Sequence, residues 1–487
     1  MAERGDIRTK VNRGLAWMSL AQVLVGALDL ISTVVVLLWL SPHTYGVAML
    51  AGSLFAVLDL LTDLGLSAAV IQRDDHTPAR ISTVFWLNVA LSLLTLLTLG
   101  LLAPLLGQLQ GEEVVGAILI AYGGKLVFQN VYFIPQAMMK KELRFKELSF
   151  IRLAANFAEA AGKIVAAALG AGVWFHFIGR SCHTLVTAFG IQWRHPWRPR
   201  LILRVRESLG YITFGLKASA SQILFHTYTN IDYQIVGYFF GPAANGFYHL
   251  AYTIVLEPVR LVSNIVIDIA FPTFARLRHT TERLKGQFIT FTRLNLITVL
   301  PVLAGLFLIA DDLIMLCWGQ EWQPAAAATK ILCLAGVLRA LSFVMPPLLD
   351  GVGRPSLTLV YMITAAISLT SGFVAFAAFL GDRLGFLAVA WAWAAGYPIA
   401  FVVLLVIVLS ILDLEIAVYL RRVVGIPLCV AASGIVAGLL QWALASAPTV
   451  IRFIAVTGGF LAGVAILLAR FQGITVASLR KALKDDR

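Results

Sequence analysis

Long apolar runs, interrupted by short connections that contain charge, glycine or proline, make up nearly all of this chain. Fourteen runs can be delimited, at residues 14 to 40, 46 to 70, 81 to 107, 114 to 137, 149 to 170, 173 to 193, 210 to 240, 246 to 273, 288 to 316, 325 to 350, 355 to 380, 385 to 412, 423 to 445 and 450 to 470. Each reaches the ~20 residues that a helix needs to cross the hydrocarbon of a bilayer. The pattern predicts an all-α polytopic membrane protein with about 14 transmembrane helices.

The connections alternate in character, and the alternation orients the chain. Those at 41 to 45, 108 to 113, 171 to 172, 241 to 245, 317 to 324, 381 to 384 and 446 to 449 are short and nearly uncharged, whereas 139 to 147, 194 to 206 and 276 to 285 are basic. Of the 38 Lys and Arg, 27 fall in one set of connections and the two tails, against Arg383 alone on the other side. Basic connections stay in the cytoplasm, so both termini are expected there and the number of spans is even.

Composition excludes several classes. Of the 487 residues, 59% are hydrophobic and 13% charged, against about 25% charged in soluble domains, and the mean hydropathy is +0.85. A soluble enzyme, a disordered chain and a secreted disulfide scaffold are ruled out. The net charge of +12 would direct a soluble chain to nucleic acid. Here the charge is topological and faces anionic lipid, so membrane lipids are expected partners and nucleic acid is not. The leading MAERGDIRTKVNRG runs into an apolar stretch too long for a signal-peptide core and without a small-residue cleavage site, so it reads as a retained first span. Cys182, Cys317, Cys333 and Cys429 form no CxxC pair and read as small hydrophobes.

No loop exceeds about 15 residues, and GxxxxGK[ST], HExxH, GxSxG and a complete GxGxxG are all absent. A transporter is expected rather than an enzyme, with no cofactor and no metal. The junctions LSPHTYGV at 40 to 47 and FGPAANGF at 240 to 247 stand 200 residues apart, with Pro42 matching Pro242 and Gly46 matching Gly246. Each joins an odd span to an even one on the outer side, as in a parallel repeat about an axis along the membrane normal. The division that follows is a cytoplasmic N-tail (1 to 13), an N-lobe of spans 1 to 6 (14 to 193), a basic linker (194 to 209), a C-lobe of spans 7 to 12 (210 to 412), spans 13 and 14 (413 to 470) and a cytoplasmic C-tail (471 to 487).

The stretches LSPHTYGVAMLAGSLFAVLDLLTDLGLSAAVIQRDD, STVFWLN at 82 to 88, Phe214 to Pro258 and FPTFARL at 271 to 277 resemble the Wzx-type oligosaccharide flippases of the multidrug/oligosaccharidyl-lipid/polysaccharide exporter superfamily, particularly the colanic and teichuronic acid exporters. The resemblance covers nearly the whole chain. GVWFHFIGR at 172 to 180 departs from it, with Phe175, His176 and Phe177 where small aliphatic residues are usual. The resemblance implies two six-helix lobes around a cavity that opens alternately to the cytoplasm and the periplasm. It implies a bacterial inner-membrane location and a polyprenyl-diphosphate-linked oligosaccharide as substrate, moved outward for surface polysaccharide (O-antigen or exopolysaccharide) assembly beside a polymerase or other assembly proteins. A cation-coupled multidrug antiporter of the same superfamily is the alternative, and a polytopic polymerase or ligase a more distant one.

Charges at mid-membrane cost about 2.5–3.5 kcal/mol each on insertion scales and so face a cavity or a partner. Ten basic residues lie inside spans: Lys125, Lys163, Arg180, Lys217, Arg260, Arg293, Lys330, Arg339, Arg452 and Arg470. Arg293, Arg452 and Arg470 are near enough to span ends to snorkel. Lys125, Arg260 and Arg339 lie near mid-span and Lys217 toward the cytoplasmic side, which makes these four the candidates for the substrate diphosphate. Asp29, Asp59, Asp63, Asp232 and Glu257 are candidates for proton or cation coupling. The alternative for the first-lobe carboxylates is neutralisation of Lys125 or Arg339, and for Glu257 an ion pair with Arg260 beside Pro258, where a kink is expected. Glu159 and Lys163 read as an intrahelical i, i+4 pair. Tyr228, Tyr233, Tyr248 and Tyr252, with Phe225, are candidates for stacking on sugar rings or, alternatively, for packing.

Overall fold

The computed structural model describes Trp17 and residues 21–63, 66–72, 77–206, 208–211 and 224–473, the side chains at 60–63, 68 and 72 excepted. Among these the regular structure is helical, because a segment in hydrocarbon must satisfy its own backbone hydrogen bonds. The helices are α1 (Ala21–Val36), α2 (Pro42–Asp63), α3 (Leu66–Gln72), α4 (Pro78–Leu109), α5 (Glu113–Lys141), α6 (Phe145–Ala168), α7 (Phe175–Arg194), α8 (Ile231–Leu277), α9 (Thr281–Trp318), α10 (Pro324–Ser342), α11 (Met345–Gly351), α12 (Pro355–Leu384), α13 (Leu387–Leu412), α14 (Ile416–Val423), α15 (Gly425–Ala443) and α16 (Thr449–Gln472). Eight of the described segments are long and apolar enough to cross a membrane by that measure alone: α4, α5, α9, the run Pro324–Gly351, α12, α13, α15 and α16. The chain is a multi-pass membrane protein.

The faces of these helices are inverted relative to a water-soluble bundle. On α4 the exposed stripe is Leu94, Leu97, Leu101 and Leu105, while Asn88 and Ser92 are buried. Asn88 donates to the Asn130 amide oxygen on α5 at 2.8 Å, and Asn130 donates to Ser92 Oγ at 3.1 Å. Polar side chains join helices where water is absent and leucine faces lipid. The basic 194–206 segment is pinned against the start of α4: the Arg200 carbonyl accepts from Trp86 Nε1 at 2.9 Å, and the Arg204 amide donates to Thr83 Oγ1 at 2.9 Å.

By internal packing the chain separates into two compact units, Met1–His249 and Leu250–Arg487. In the first unit α8 turns back on itself. Asp232 and Tyr248 would stand about 24 Å apart along a straight helix, yet Tyr248 Oη donates to Asp232 Oδ2 at 2.8 Å. The reversal is made by Gly241, whose φ of 83° and ψ of 173° is the one departure from helical angles within Ile231–Leu277; a side chain there would be strained. Residues 231–240 and 242–277 are thus separate helical arms, as the short uncharged connection at 241 to 245 predicts. Pro258, where the sequence predicts a kink, keeps helical backbone angles.

The two junctions that match in sequence also meet in space. A methyl group on Gly46 would overlap the carbonyl oxygen of Pro242, and one on Gly246 would overlap that of Pro42. The contact is reciprocal, as a two-fold relation between the two stretches requires. It is reinforced by Asn245 Nδ2 donating to the Gly46 carbonyl at 3.1 Å and by Tyr45 Oη against His249 Nδ1 at 2.9 Å.

In the second unit α9 packs against α10, α15 and α16, and α13 packs against α10 and α12. Asn295 on α9 accepts from Ser263 Oγ at 3.0 Å and donates to the Ala340 carbonyl at 2.6 Å. Arg452 on α16, expected to snorkel, is instead held by Asp312: its Nε donates to Oδ2 at 2.9 Å and its Nη2 to Oδ1. The sequence reading passes over α14, a short helix that buries Tyr419 and Val423 while exposing Ile416 and Leu420.

Wedging the reciprocal junction tests its close fit. Overpacking costs about 1–3 kcal/mol, so Gly46→Leu and Gly246→Leu are each expected to speed amide exchange over 42–50 and 240–250 by about tenfold or more. Gly100→Leu, where a Cβ meets open space, should leave that exchange unchanged.

Candidate functional site

The intramembrane charges form clusters within each unit. In the first unit α6 and α7 approach closely because Gly179 has no side chain: a Cβ there would overlap Lys163. That closeness assembles four charges. Lys163 Nζ lies 2.8 Å from Glu159 Oε1 and 3.1 Å from Asp29 Oδ1 on α1, and Arg180 Nε lies 3.4 Å from Glu159 Oε1. Glu159 and Lys163 are buried, at 3% and 6% exposure. The intrahelical pair read from the sequence is therefore present, but Asp29 and Arg180 extend it across three helices. Asp29 is paired to Lys163, a partner that spacing along one helix does not reveal.

A second chain of contacts lies on α2 and α5. With the Gln129 amide oriented to suit both neighbours, its oxygen accepts from Lys125 Nζ at 2.9 Å and its nitrogen donates to Asp59 Oδ1 at 3.0 Å. Lys125 also sits over the Phe55 ring, 4.7 Å from its centroid, a cation–π contact. Asp59 and Lys125 are thus joined through an amide. The side chain of Asp63 and the whole of Lys217 lie outside the described residues.

Phe175, His176 and Phe177, which depart from the family pattern, pack inside this unit. His176 Nδ1 lies 2.6 Å from Tyr122 Oη, Phe177 meets Tyr122 edge-on at 5.3 Å, and Phe175 stacks on Tyr45 at 6.1 Å. Tyr122 in turn stacks on Phe55 at 4.2 Å. Three aromatics that stand out in the sequence thus support the neighbours of Lys125 and the reciprocal junction.

Asp232 is fully buried, and besides Tyr248 it accepts from the Tyr233 amide at 3.0 Å. The Tyr233 ring lies 4.8 Å from the His249 ring and 5.8 Å from that of Tyr248, and Phe225 meets Tyr228 edge-on at 5.6 Å. Tyr228, Tyr233 and Tyr248 are all buried. Beside them lies an apolar cavity of about 510 Å³ between α2, α4 and the segment 227–234, with Ser53, Asn230 and Gln234 as polar groups at its wall.

In the second unit Arg339 is buried on α10. Its Nη1 donates to Tyr252 Oη at 2.9 Å, and its guanidinium carbon sits 4.9 Å from the centroid of the Trp393 ring. Tyr252 and Trp393 are themselves 6.1 Å apart. Hydroxyl and indole together fix the orientation of the guanidinium. Arg260 pairs with Glu257 at 2.5 Å and is more than half exposed, and Lys330 pairs with Asp311. The sequence shows Glu257 with Arg260 because they share one helix face; the partners of Lys330 and Arg452 come from other helices.

Comparison with known proteins follows from this architecture. A model of the family described as "Polysaccharide biosynthesis protein" matches residues 38–327, more than half of the chain. The chain belongs to the polysaccharide biosynthesis protein family. Among relatives, the teichuronic acid biosynthesis protein TuaB of Bacillus subtilis (strain 168) is 26% identical over 89% of this chain and 89% of its own length. The lipopolysaccharide biosynthesis protein WzxC of Escherichia coli (strain K12) is 24% identical over 79% of each chain. Among solved structures, lipid II flippase MurJ in an inward closed conformation has a TM-score of 0.75 at 12% identity, covering 93% of this chain and 98% of that one. An inward-facing multidrug resistance MATE transporter of the MOP superfamily has a TM-score of 0.60 at 16% identity, covering 81% and 98%. The fold of this family member is that of the MOP exporters, as the resemblance in sequence predicts.

The Asp29–Lys163–Glu159–Arg180 cluster allows a direct test. Removing one member of a buried ion pair strands its partner at about 3–5 kcal/mol. Lys163→Met is expected to lower the thermal stability of the purified protein strongly, and Lys163→Met combined with Glu159→Leu to recover part of the loss, both read by thermal unfolding in detergent.

Proposed function

We propose that this protein is a flippase that moves a polyprenyl-diphosphate-linked oligosaccharide repeat unit from the cytoplasmic to the outer face of a bacterial inner membrane, for assembly of a surface polysaccharide. The observation that carries this reading is the family match over 38–327, with relatives named for polysaccharide biosynthesis along 79–89% of their length. The exporter fold supports it, since the described residues are nearly all in helices, many of them long enough to line a transport path. Spans 1 to 6 and 7 to 12 act as two lobes with cytoplasmic termini, an orientation supported by the basic connections.

In this reading the diphosphate meets Lys125, Lys217, Arg260 and Arg339, and Tyr228, Tyr233, Tyr248 and Tyr252 take the sugars once the cavity opens. Asp29, Asp59, Asp63, Asp232 and Glu257 supply the coupling groups. Asp29 and Asp59 suit that role because each already faces a cation, directly or through Gln129; protonation or cation arrival would release that partner. The junction of Pro42–Gly46 with Pro242–Gly246, where backbone meets backbone, serves as the outer gate. Polymerase or other assembly proteins receive the flipped unit.

Deleting the gene tests the reading. Lipid extracts of the deletion strain are expected to accumulate cytoplasm-facing lipid-linked repeat units, with surface polysaccharide lost and drug susceptibility unchanged. Unaltered lipid-linked intermediates and polysaccharide would overturn the proposal, and an altered drug susceptibility alone would favour a multidrug antiporter. On complementation, Arg260→Ala and Arg339→Ala should insert normally yet restore export at least about tenfold less well than wild type, the loss expected when charge-assisted bonds of about 1.5–3 kcal/mol are removed.

A further inference from the structure

One end of the second unit holds an open basic pocket that the transport reading does not use. Its volume is about 720 Å³, and Arg283, Arg293 and Arg422 line it together with Gln287 and Thr290. No carboxylate is among the lining residues. Of the acids nearby in sequence, Glu282 Oε1 lies 2.8 Å from Lys285 Nζ and Asp413 Oδ2 lies 4.0 Å from it. Other described cations of the same unit, Lys285, Lys330 and Arg452, each face a carboxylate. Arg283, Arg293 and Arg422 instead line this open pocket together.

The pocket is built rather than incidental. Arg293 Nη1 donates to the Arg422 carbonyl at 2.7 Å and Nη2 to Gln472 Oε1 at 3.1 Å, which ties α9 to the ends of α14 and α16 and fixes one guanidinium. Arg283 and Arg422 are exposed. A Cβ added at Gly286 on the pocket wall meets nothing within 4 Å. Alongside runs α14, which exposes Ile416, Leu420 and the following Val424 at 54%, 49% and 44% while Tyr419 stacks beneath on Phe288 at 5.7 Å. A short amphipathic helix with exposed aliphatic residues and terminal arginines lies in the interface of a bilayer. The connections that meet here follow spans 8, 12 and 14, so they share one membrane face.

We propose that this pocket binds the phosphate of an anionic phospholipid head group, with Arg293 as the fixed anchor, Arg283 and Arg422 closing on it, and α14 lying among the acyl chains. Guanidinium forks match phosphate oxygens in geometry and charge. A bound head group would tie the α8–α9 connection to α14 and to the end of α16.

The test is native mass spectrometry of the full-length protein reconstituted in nanodiscs of phosphatidylglycerol or phosphatidylcholine, then released into detergent. Wild type should retain phosphatidylglycerol over phosphatidylcholine, and retention should fall about fivefold for each arginine removed, as the attraction of about one basic residue to an anionic surface implies. Arg422→Gln, in an exposed side chain, and Gly286→Trp, which fills the pocket and keeps all three arginines, should both lose retention while thermal unfolding without lipid stays unchanged. Equal retention of the two lipids by wild type, or undiminished retention in both variants, would overturn the proposal. Free phosphate is the other source of this chemistry: if millimolar inorganic phosphate strips the lipid as completely as the variants do, the head-group assignment fails.

Discussion

Hydrocarbon tolerates no unpaired charge and no unpaired backbone, and most of what is specific in this protein follows from that constraint. Backbone satisfaction makes the described regular structure helical, and side-chain satisfaction decides which helices touch. Lys163 sits between Asp29 and Glu159, with Arg180 completing the balance of two positive and two negative charges. Asn88, Asn130 and Ser92 do the same with neutral groups. Apolar burial cannot sort helices in lipid, because leucine is as well solvated by acyl chains as by other leucines. Polar partners and glycine-allowed close approach therefore select the packing, and Gly179 beside Lys163 uses both at once.

The reciprocal junction follows a different logic. Pro42 with Gly246 and Pro242 with Gly46 bring backbone against backbone, with no charge at the contact. Such a contact is lost as soon as the segments separate and regained without reorganising side chains, which is what a gate needs under the proposed cycle. The hydrogen bonds around it, Asn245 to the Gly46 carbonyl and Tyr45 with His249, add direction without ion pairing. The proposed gate thus opens at lower electrostatic cost than the charge clusters would.

The sequence reveals whatever is local or periodic. Span positions follow from run length, and the short uncharged connection at 241 to 245 becomes the Gly241 reversal. Glu159 with Lys163 and Glu257 with Arg260 are visible because i, i+3 and i, i+4 neighbours share a helix face. Partners on other helices leave no such trace: Asp29 finds Lys163 across 134 positions, and Asp312 finds Arg452 across 140. The snorkelling expected of Arg452 fails for that reason, since a buried carboxylate competes better than the interface. The amphipathic α14 is missed because its eight residues are too few to register as a span. The matching Pro and Gly of the two junctions show in the sequence, while their contact needs the structure.

Adjacent acids near the end of α9 tie it to two other helices. Successive helical residues point about 100° apart, so Asp311 and Asp312 face different neighbours. Asp311 takes Lys330 on α10, and Asp312 takes Arg452 on α16. One turn of α9 thus secures both the helix that follows it and α16, the last of the described helices. This changes what the ten intramembrane cations mean: Lys163, Arg180, Arg260, Lys330 and Arg452 face carboxylates, and Arg293 is fixed by a carbonyl and an amide. A positive charge inside a span is therefore weak evidence of a substrate site. Arg339 and Lys125 each meet an aromatic ring and a neutral hydrogen-bonding group, Trp393 with Tyr252 for one and Phe55 with Gln129 for the other. Stacking on a ring and hydrogen bonding to a neutral group fix the direction in which a cation points, so these contacts orient the two cations in a different way from the ion pairs of Lys163, Arg180, Arg260, Lys330 and Arg452.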